Sequence, residues 1–249
     1  MSVATRPLPT TGRRAGVWAR DLAVEFVFDR RRRLISPTLA RLRRRGETVW
    51  ALHAVNLAVG PGEAIAVVGP TGSGKTTLLR AIAGVLAADH GELEVHGRVG
   101  SLLATEAGQM GALTGRENAR LLAVLAGLSL SEANARLDEL RERSGLGDAF
   151  ERPVASYSEG MRARLGFAAA AAADPDVVLL DEVFEALDHE YRGVVESYVQ
   201  ELRARGGVVL AAGHDHPALA RMCERALLLD AGRARGDGPF AQVLAAYRG

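Results

Sequence analysis

One nine-residue stretch limits what this chain can fold into more than any other. A short apolar run, residues 64–68, leads into a glycine-rich turn, and the turn leads into residues 78–83, which have the apolar spacing of a helix. The turn reads G-x-x-x-x-G-K-T. Between a buried strand and a helix, this pattern predicts a phosphate-binding loop, whose backbone N–H groups converge on an anion at the positive end of the helix.

The side chains of this loop indicate a nucleotide bound with magnesium. Lys75 would reach the β- and γ-phosphates, and the hydroxyl of Thr76 would ligate Mg²⁺. Lys75 is the only lysine among the 31 basic residues, which indicates that a compact ammonium is needed where a planar guanidinium would not fit. The residues predicted to bind the nucleotide here are Gly69, Pro70, Thr71, Gly72, Ser73, Gly74, Lys75, Thr76 and Thr77.

A second group of candidate residues follows the apolar strand predicted at residues 177–180. Asp181 and Glu182 end this strand, so they would project from the same sheet edge as the phosphate loop. We expect Asp181 to hold Mg²⁺, directly or through water, and Glu182 to polarise an attacking water. His214 follows the next strand and would hold that water and the γ-phosphate, although a lone histidine after a strand is more often structural. Lys75, Glu182 and His214 are thus the candidate catalytic residues.

Strands and helices alternate along the chain, which predicts an α/β fold with a doubly wound parallel sheet. Strands are expected at 22–28, 49–59, 64–68, 93–95, 99–103, 177–180, 207–211 and 227–230. Helices are expected at 115–125, 132–143, 162–173 and 189–203, with a short one near the end of the chain. Residues 1–20 would form a flexible tail, and residues 21–249 a nucleotide-binding domain that contains a basic insertion, about 29–48, and a helical part, about 107–173.

The near-neutral net charge of +1 hides a basic N-terminal region. The first fifty residues contain twelve arginines and four acidic residues. This region can be a solvated arm, or a positive surface for anionic lipid headgroups. It lacks interleaved aromatics that could stack on bases, so nucleic acid is not expected as a partner. The single cysteine fits a reducing compartment, and no apolar run is long enough to cross a bilayer.

Five motifs in order together resemble the nucleotide-binding subunit of ABC transporters. After the phosphate loop (Walker A) come the signature-like Tyr157-Ser158-Glu159-Gly160-Met161, the Walker B end Asp181-Glu182, the D-loop Glu185-Ala186-Leu187-Asp188 and the switch His214. The resemblance implies a P-loop ATPase core with a parallel sheet, an antiparallel β subdomain and a helical subdomain. It also implies a head-to-tail dimer, in which Ser158, Gly160 and Asp188 help to bind ATP held mainly by the partner.

The signature Tyr-Ser-x-Gly-Met is similar to that of the subfamily that exports cell-surface polysaccharides such as O-antigen, teichoic acid and galactan. This resemblance implies an ATPase that uses ATP and Mg²⁺, lies at the cytoplasmic face of the membrane and works with a polytopic permease. One alternative is an exporter of a drug, lipid or peptide. Another is a soluble ATPase of the same family that acts on DNA or translation.

Three features of the site depart from the family pattern or leave a choice. The aromatic that stacks on adenine is expected to be Phe28, with Phe26, Trp50 or an ordinary core aromatic as alternatives. Gln109 matches the family's magnesium-contacting glutamine, but it is offset by about one residue. Glu159 replaces a small signature residue, and its carboxylate would lie close to the partner's ATP, from which we predict slower hydrolysis.

Overall fold

A computed structural model of the chain describes residues 15–28, 47–102 and 108–248, apart from the side chains of residues 27, 28 and 47. Most of the predicted tail, the basic insertion over residues 29–46 and the end of the strand predicted at 99–103 therefore lie outside the described residues. The described part contains two sheets, with helices packed on them.

The first sheet is antiparallel, and the second is mostly parallel. The strands are β1 Gly16–Phe28, β2 Glu47–Val59, β3 Ala64–Val68, β4 His90–His96, β5 Val99–Leu102, β6 Val177–Asp181, β7 Val208–Ala212, β8 Arg225–Asp230 and β9 Arg233–Pro239. The antiparallel sheet has the order β2-β1-β4, and the six-stranded sheet has the order β5-β6-β7-β3-β8-β9. In the six-stranded sheet, only the β8–β9 pair is antiparallel.

The helices cover both faces of the parallel sheet and also form a separate helical part. They are α1 Lys75–Ile82, α2 Gly115–Leu125, α3 Leu130–Ala135, α4 Leu137–Ser144, α5 Glu159–Ala172, α6 Val183–Ala186, α7 His189–Ala204, α8 His216–Met222 and α9 Phe240–Arg248. Short 3₁₀ turns occupy Gly147–Glu151 and Val154–Ser156. Among the described residues, no helix combines the length and the apolar character that crossing a bilayer requires.

The core explains why β3 lies in the middle of the sheet. All five residues of β3, β6 and β7 are buried, as expected for strands covered on both faces. Ala66 belongs to the cluster under α7 and α9, whereas its neighbour Val67 belongs to the cluster under α1 and the antiparallel sheet. A third cluster lies within the helical part. The strand that leads into the phosphate loop is therefore fixed from both sides.

Two boundaries predicted from the sequence are wrong. Residues 16–20 belong to β1 and not to the tail, because Val17 and Ala19 are buried and pair with β2 and β4. Residues 47 and 48 likewise belong to β2 and not to the insertion. Both segments are polar in part, and the hydrogen bonds that place them in the sheet come from strands far away in the sequence.

Two further elements differ from the sequence prediction. The helix expected at 132–143 is divided between α3 and α4, because Arg136 leaves helical geometry and its guanidinium donates to the carbonyl oxygen of Ala172. Strand β9 was not predicted, since its glycines and proline read as turn residues. It is an edge strand that pairs only with β8 in the described sheet, a position where proline is tolerated.

Candidate nucleotide-binding site

The loop between β3 and α1 is built around three glycines in a left-handed or extended positive-φ conformation. The φ angles of Gly69, Gly72 and Gly74 are 148°, 79° and 107°, values that residues with a Cβ rarely adopt. A Cβ on Gly69 would lie 2.0 Å from the carbonyl oxygen of Leu229, and one on Gly74 would lie 2.6 Å from that of Ala51. The loop is thus held tightly between β8 and β2.

Lys75 is buried at the start of α1, with 6 % of its surface exposed. Its ammonium donates hydrogen bonds to the carbonyl oxygens of Gly69 at 2.9 Å and Pro70 at 3.2 Å. Burial lowers the pKa of Lys75, and the nearby carboxylates of Glu182 and Asp181 oppose that change. Since an ammonium has three donors, these two bonds leave one hydrogen for a phosphate oxygen.

Two buried oxygen atoms beside this lysine make no hydrogen bond within the described part of the chain. They are Oγ of Ser73 and Oδ1 of Asp181. Burial raises the pKa of Asp181, and the nearby hydroxyl of Thr76 opposes this rise. Buried polar atoms without partners are rare and costly. A site with such atoms beside a glycine-rich loop fits a phosphate group and a cation that supply the missing partners.

The turn after β6 brings Glu182 next to His214. Glu182 has a φ of 56°, and its backbone N–H donates to the carbonyl oxygen of Ala212 at 2.9 Å. Its Oε1 lies 3.8 Å from Nε2 of His214, and both side chains are about half exposed. This distance exceeds that of a hydrogen bond. A positive φ at a residue with a side chain persists only where the surrounding structure holds it, which is common at functional sites.

The D-loop, residues 185–188, contacts both the switch histidine and helix α5. Oε1 of Glu185 accepts the backbone N–H of His214 at 3.1 Å. Asp188 caps α7 by accepting the N–H of Tyr191 at 2.9 Å, and it also pairs with Arg164 of α5. In the sequence, Glu185 is recognisable only as a member of the D-loop motif. Its acidic character next to the strand-end carboxylates was the available signal of a further role.

The signature motif lies at the start of α5, as the sequence predicts. Ser158 caps this helix by accepting the N–H of Met161 at 3.2 Å, and the side chains of Ser158 and Glu159 are exposed. A Cβ on Gly160 would lie 2.9 Å from the carbonyl oxygen of Ala186, so the helix start packs closely on the D-loop. Contact of these residues with a nucleotide on a second subunit stays a prediction.

Gln109 lies beside α5. Its Nε2 donates to the carbonyl oxygen of Arg162 at 2.9 Å, and its amide nitrogen lies 3.5 Å from the position of a Cβ on Gly166. These contacts of Gln109 are with the signature helix, whereas Thr76 and Lys75 are both close enough to Asp181 to lower its pKa against the effect of burial. The role of Gln109 as a magnesium ligand stays a prediction.

The aromatic residue that stacks on adenine also stays a prediction. The side chain of Phe28 lies outside the described residues. The two alternatives, Phe26 and Trp50, are each 36 % exposed. The ring of Trp50 packs against that of His53, with 5.5 Å between the ring centroids. Trp50 directly precedes Ala51, whose carbonyl oxygen lies close to Gly74 of the phosphate loop.

A phosphate loop and a pair of strand-end carboxylates at one edge of a parallel sheet define a P-loop nucleotide-binding domain. The family described as ABC transporter matches residues 52–185, and this chain belongs to that family.

Curated relatives support the narrower resemblance. The O-antigen export system ATP-binding protein RfbB of Klebsiella pneumoniae is 33% identical over 204 residues, 82% of this chain and 83% of that protein. RfbB of Myxococcus xanthus is 33% identical over 84% of this chain and 48% of that protein. The teichoic acids export ATP-binding protein TagH of Lactococcus lactis is 34% identical over 80% of this chain and 42% of that protein. The chain thus spans about half the length of the last two.

Solved structures confirm the predicted fold. A dimeric ATP-binding cassette in a post-hydrolysis state, bound to ADP and Pi, has a TM-score of 0.75 at 22% identity, over 90% of this chain and 98% of that one. The ATP-binding subunit of an ABC transporter has a TM-score of 0.72 at 22% identity, over 94% of this chain and 95% of that one.

Proposed function

We propose that this chain is the ATP-hydrolysing subunit of an ABC exporter for a lipid-linked cell-surface polysaccharide. The observation that carries the ATPase assignment is the position of Glu182, 3.8 Å from His214, on the turn that follows the buried Asp181. The polysaccharide assignment is supported by the similarity to proteins named for O-antigen and teichoic acid export.

The residues at the loop fit ATP with Mg²⁺. The positive-φ glycines would let the loop turn backbone N–H groups towards phosphates, and Oδ1 of Asp181 and Oγ of Ser73 are buried without hydrogen-bond partners in the described chain. Thr76 and Asp181 would be the protein ligands of Mg²⁺, which normally takes one or two protein groups beside phosphates and water. Bound Mg²⁺ would neutralise charge on the phosphates. Gln109 stays a third candidate ligand through its amide oxygen, since its bond to Arg162 is made by the amide nitrogen.

The chain's own residues would then divide the hydrolysis among them. Lys75 would hold a γ-phosphate oxygen and stabilise the charge that develops during transfer. The carboxylate of Glu182 would orient the attacking water and accept its proton. The imidazole of His214 would bond to the γ-phosphate and to the same water. Opening of the closed subunit pair after hydrolysis would pass the change to the membrane partner.

Three partners complete the proposal. A second copy would pack head to tail, which is supported by the exposed Ser158 at the start of the 14-residue α5 and by the dimeric cassettes among the structural neighbours. A polytopic permease would hold the pair at the cytoplasmic face of the membrane. The arginine-rich residues 29–46 would contact anionic lipids, which we would test with vesicles that do or do not contain phosphatidylglycerol.

The deciding experiment combines a pull-down from detergent-solubilised native membranes with ATPase assays of the wild type and Glu182→Gln. We expect a polytopic subunit to co-purify. We expect Glu182→Gln to lower kcat by about a hundredfold to ten-thousandfold, the contribution typical of a general base, while ATP binding persists. Glu201→Gln, the same change on the exposed surface of α7, is the matched control.

Two outcomes would contradict the proposal. Hydrolysis that survives in Glu182→Gln would remove Glu182 from the catalytic residues. A protein that stays alone in the pull-down would remove the transporter assignment. The substrate is tested separately, since deletion of the chain from its host should make a lipid-linked glycan accumulate on the cytoplasmic side of the membrane.

A further inference from the structure

Glu185 is an exposed acidic residue three positions after Glu182, in the short helix α6. Its Oε1 accepts the backbone N–H of His214 at 3.1 Å. The same oxygen lies 3.9 Å from the position that a Cβ on Gly213 would take. The carboxylate therefore lies against the backbone of the switch histidine and leaves the imidazole free.

The backbone of Glu185 is held to the turn that follows β6. The backbone N–H of Glu185 donates to the carbonyl oxygen of Glu182 at 3.2 Å, and the N–H of Glu182 donates to Ala212 at 2.9 Å. Glu185 thus extends from the same turn that holds the catalytic carboxylate. A bond from this turn to His214 links Glu182 and His214, the two residues proposed to orient the attacking water.

A second link runs parallel to the first. Nε of Arg192 donates to the carbonyl oxygen of Leu187 at 2.9 Å, and its Nη1 donates to Asp215 at 2.8 Å. Asp215 also accepts the N–H of Ala218 at 3.0 Å and so caps α8. The D-loop is therefore joined at two points to the segment that carries the histidine, and Glu185 makes the link that is closer to the imidazole.

We propose that Glu185 is a positioning residue, which sets the distance between the Glu182 carboxylate and the His214 imidazole through its bond to the histidine backbone. This inference rests on the proposed ATPase function. Glu185 does not touch the nucleotide or the water in this assignment. Its effect on hydrolysis passes through His214.

Glu185 could also affect hydrolysis through its negative charge, and this effect must be distinguished from that of its hydrogen bond to His214. The charge is close enough to Lys75 to raise the pKa of that residue against the larger effect of burial, so it could also act on phosphates directly. Three substitutions distinguish the two effects. Glu185→Gln keeps the acceptor oxygen and loses the charge, Glu185→Asp keeps the charge and loses one methylene of reach, and Glu185→Ala loses both.

The experiment measures steady-state ATPase activity and binding of a fluorescent ATP analogue by the full chain. We expect Glu185→Ala and Glu185→Asp to lower kcat by about three- to tenfold, the range that loss of one hydrogen bond gives, with KM within about twofold. Glu185→Gln should keep kcat within about twofold of the wild-type value. Glu201→Ala and Glu201→Gln, on α7, are matched controls. Equal losses in the Ala and Gln variants would mean that charge is decisive, which would overturn the proposal.

A double-mutant cycle tests whether the effect passes through the histidine. In a His214→Ala background, Glu185→Ala should cause no further loss of kcat, since the positioned group is gone. Equal losses in both backgrounds would overturn the proposal. A wild type without ATPase activity would instead contradict the proposed function, and the positioning role would fall with it.

Amide hydrogen exchange gives a readout that does not depend on activity. The N–H of His214 should exchange faster in Glu185→Ala than in Glu185→Gln or the wild type, because its acceptor is missing. Thermal unfolding of the same samples separates this local change from general destabilisation. Unchanged exchange at His214 in Glu185→Ala would overturn the proposal on its own.

Discussion

The phosphate loop and the start of the signature helix differ in how their polar groups are satisfied. At the loop, Oγ of Ser73 and Oδ1 of Asp181 are buried and make no hydrogen bond within the described residues. At the signature helix, Ser158 accepts the N–H of Met161, and its side chain is exposed. Both regions are predicted to bind the same nucleotide phosphates, one from each subunit.

This difference indicates two ways of preparing a binding site. The tightly packed loop keeps buried polar groups without partners, so a bound ligand would supply the hydrogen bonds and charges that these groups lack. The signature helix is already capped and needs no ligand to be stable. Substitutions in the loop should therefore change the stability of the isolated chain, and substitutions at the signature should act mainly when a second subunit and a nucleotide are present.

The largest effect is expected from Gly69→Ala, and Gly72→Ala is its matched control. A new Cβ on Gly69 would lie 2.0 Å from a backbone oxygen of β8, whereas one on Gly72 meets no atom within 4 Å. We expect Gly69→Ala to lower the free energy of unfolding by about 3 kcal/mol or more and to abolish ATP binding. Gly72→Ala should lower the free energy of unfolding by about 1 kcal/mol, because its only cost is the positive φ that alanine would have to adopt. Urea unfolding without nucleotide measures both, and equal losses would show that the loop is not held against β8.

Asp181→Asn should stabilise the nucleotide-free chain while weakening magnesium-dependent ATP binding. Burial raises the pKa of Asp181, so the folded state binds its proton more tightly than the unfolded state does. Ionisation of Asp181 then costs stability as the pH rises from the ordinary aspartate pKa through the folded-state value. We expect a gain of about 1 kcal/mol at pH 7, which disappears as the pH falls to about 4.

Unfolding of wild type and variant across this pH range checks the prediction for Asp181. Asp138→Asn, at a side chain that is 94% exposed in the first turn of α4, is the control, which should cost only a few tenths of a kcal/mol. A variant that is less stable than the wild type at neutral pH would show that the buried carboxylate is satisfied without a cation.

The sequence predicts the elements whose signals are local. The limits of β3 and α2 are the same in the prediction and in the structure, because an apolar run or a helical repeat ends there at turn residues. Strand β9 pairs with the strand just before it, β8, whereas the first residues of β1 pair with β2 and β4 far along the chain. In both segments, glycine, proline or polar residues hide the local sign of a strand. Their positions could not be obtained from local patterns.

The site shows the same difference between features that a sequence motif predicts and features that depend on tertiary packing. The motif order was enough to predict that Glu182 and His214 meet, since parallel strands end at one edge of the sheet. The bond from Glu185 to His214 joins residues 29 positions apart, and the pair Arg164–Asp188 joins residues 24 positions apart. Both depend on how loops and helices pack after the sheet has formed. The bond from Gln109 to Arg162 on α5 also depends on packing, and the role of Gln109 as a magnesium ligand stays a prediction.

Substitutions of Asp188 test how the signature helix α5 is held against the D-loop. It caps α7 and pairs with Arg164, and its side chain is 46% exposed. We expect Asp188→Ala to lower the free energy of unfolding by about 1 kcal/mol through loss of the cap. Asp188→Asn keeps a capping oxygen and loses the ion pair, so it should cost about 0.5 kcal/mol or less. Thermal unfolding of the single chain measures both. Equal losses for Asn and Ala would mean that the ion pair, not the cap, holds the D-loop.

The smallest effect is expected from Glu159→Ser. The carboxylate of Glu159 lies in the first turn of α5, where the helix dipole favours a negative charge by about 0.3–1 kcal/mol. The same carboxylate would repel the phosphates that Ser158 is predicted to contact on a partner subunit. We expect Glu159→Ser to lose a few tenths of a kcal/mol of stability and to raise ATPase activity about twofold, with a gain that shrinks as salt screens the charge. Glu190→Ser, in the first turn of α7, is the control that shares the dipole loss and should leave the rate unchanged. An ATPase rate that falls in Glu159→Ser would mean that the signature helix needs this charge more than the nucleotide is repelled by it.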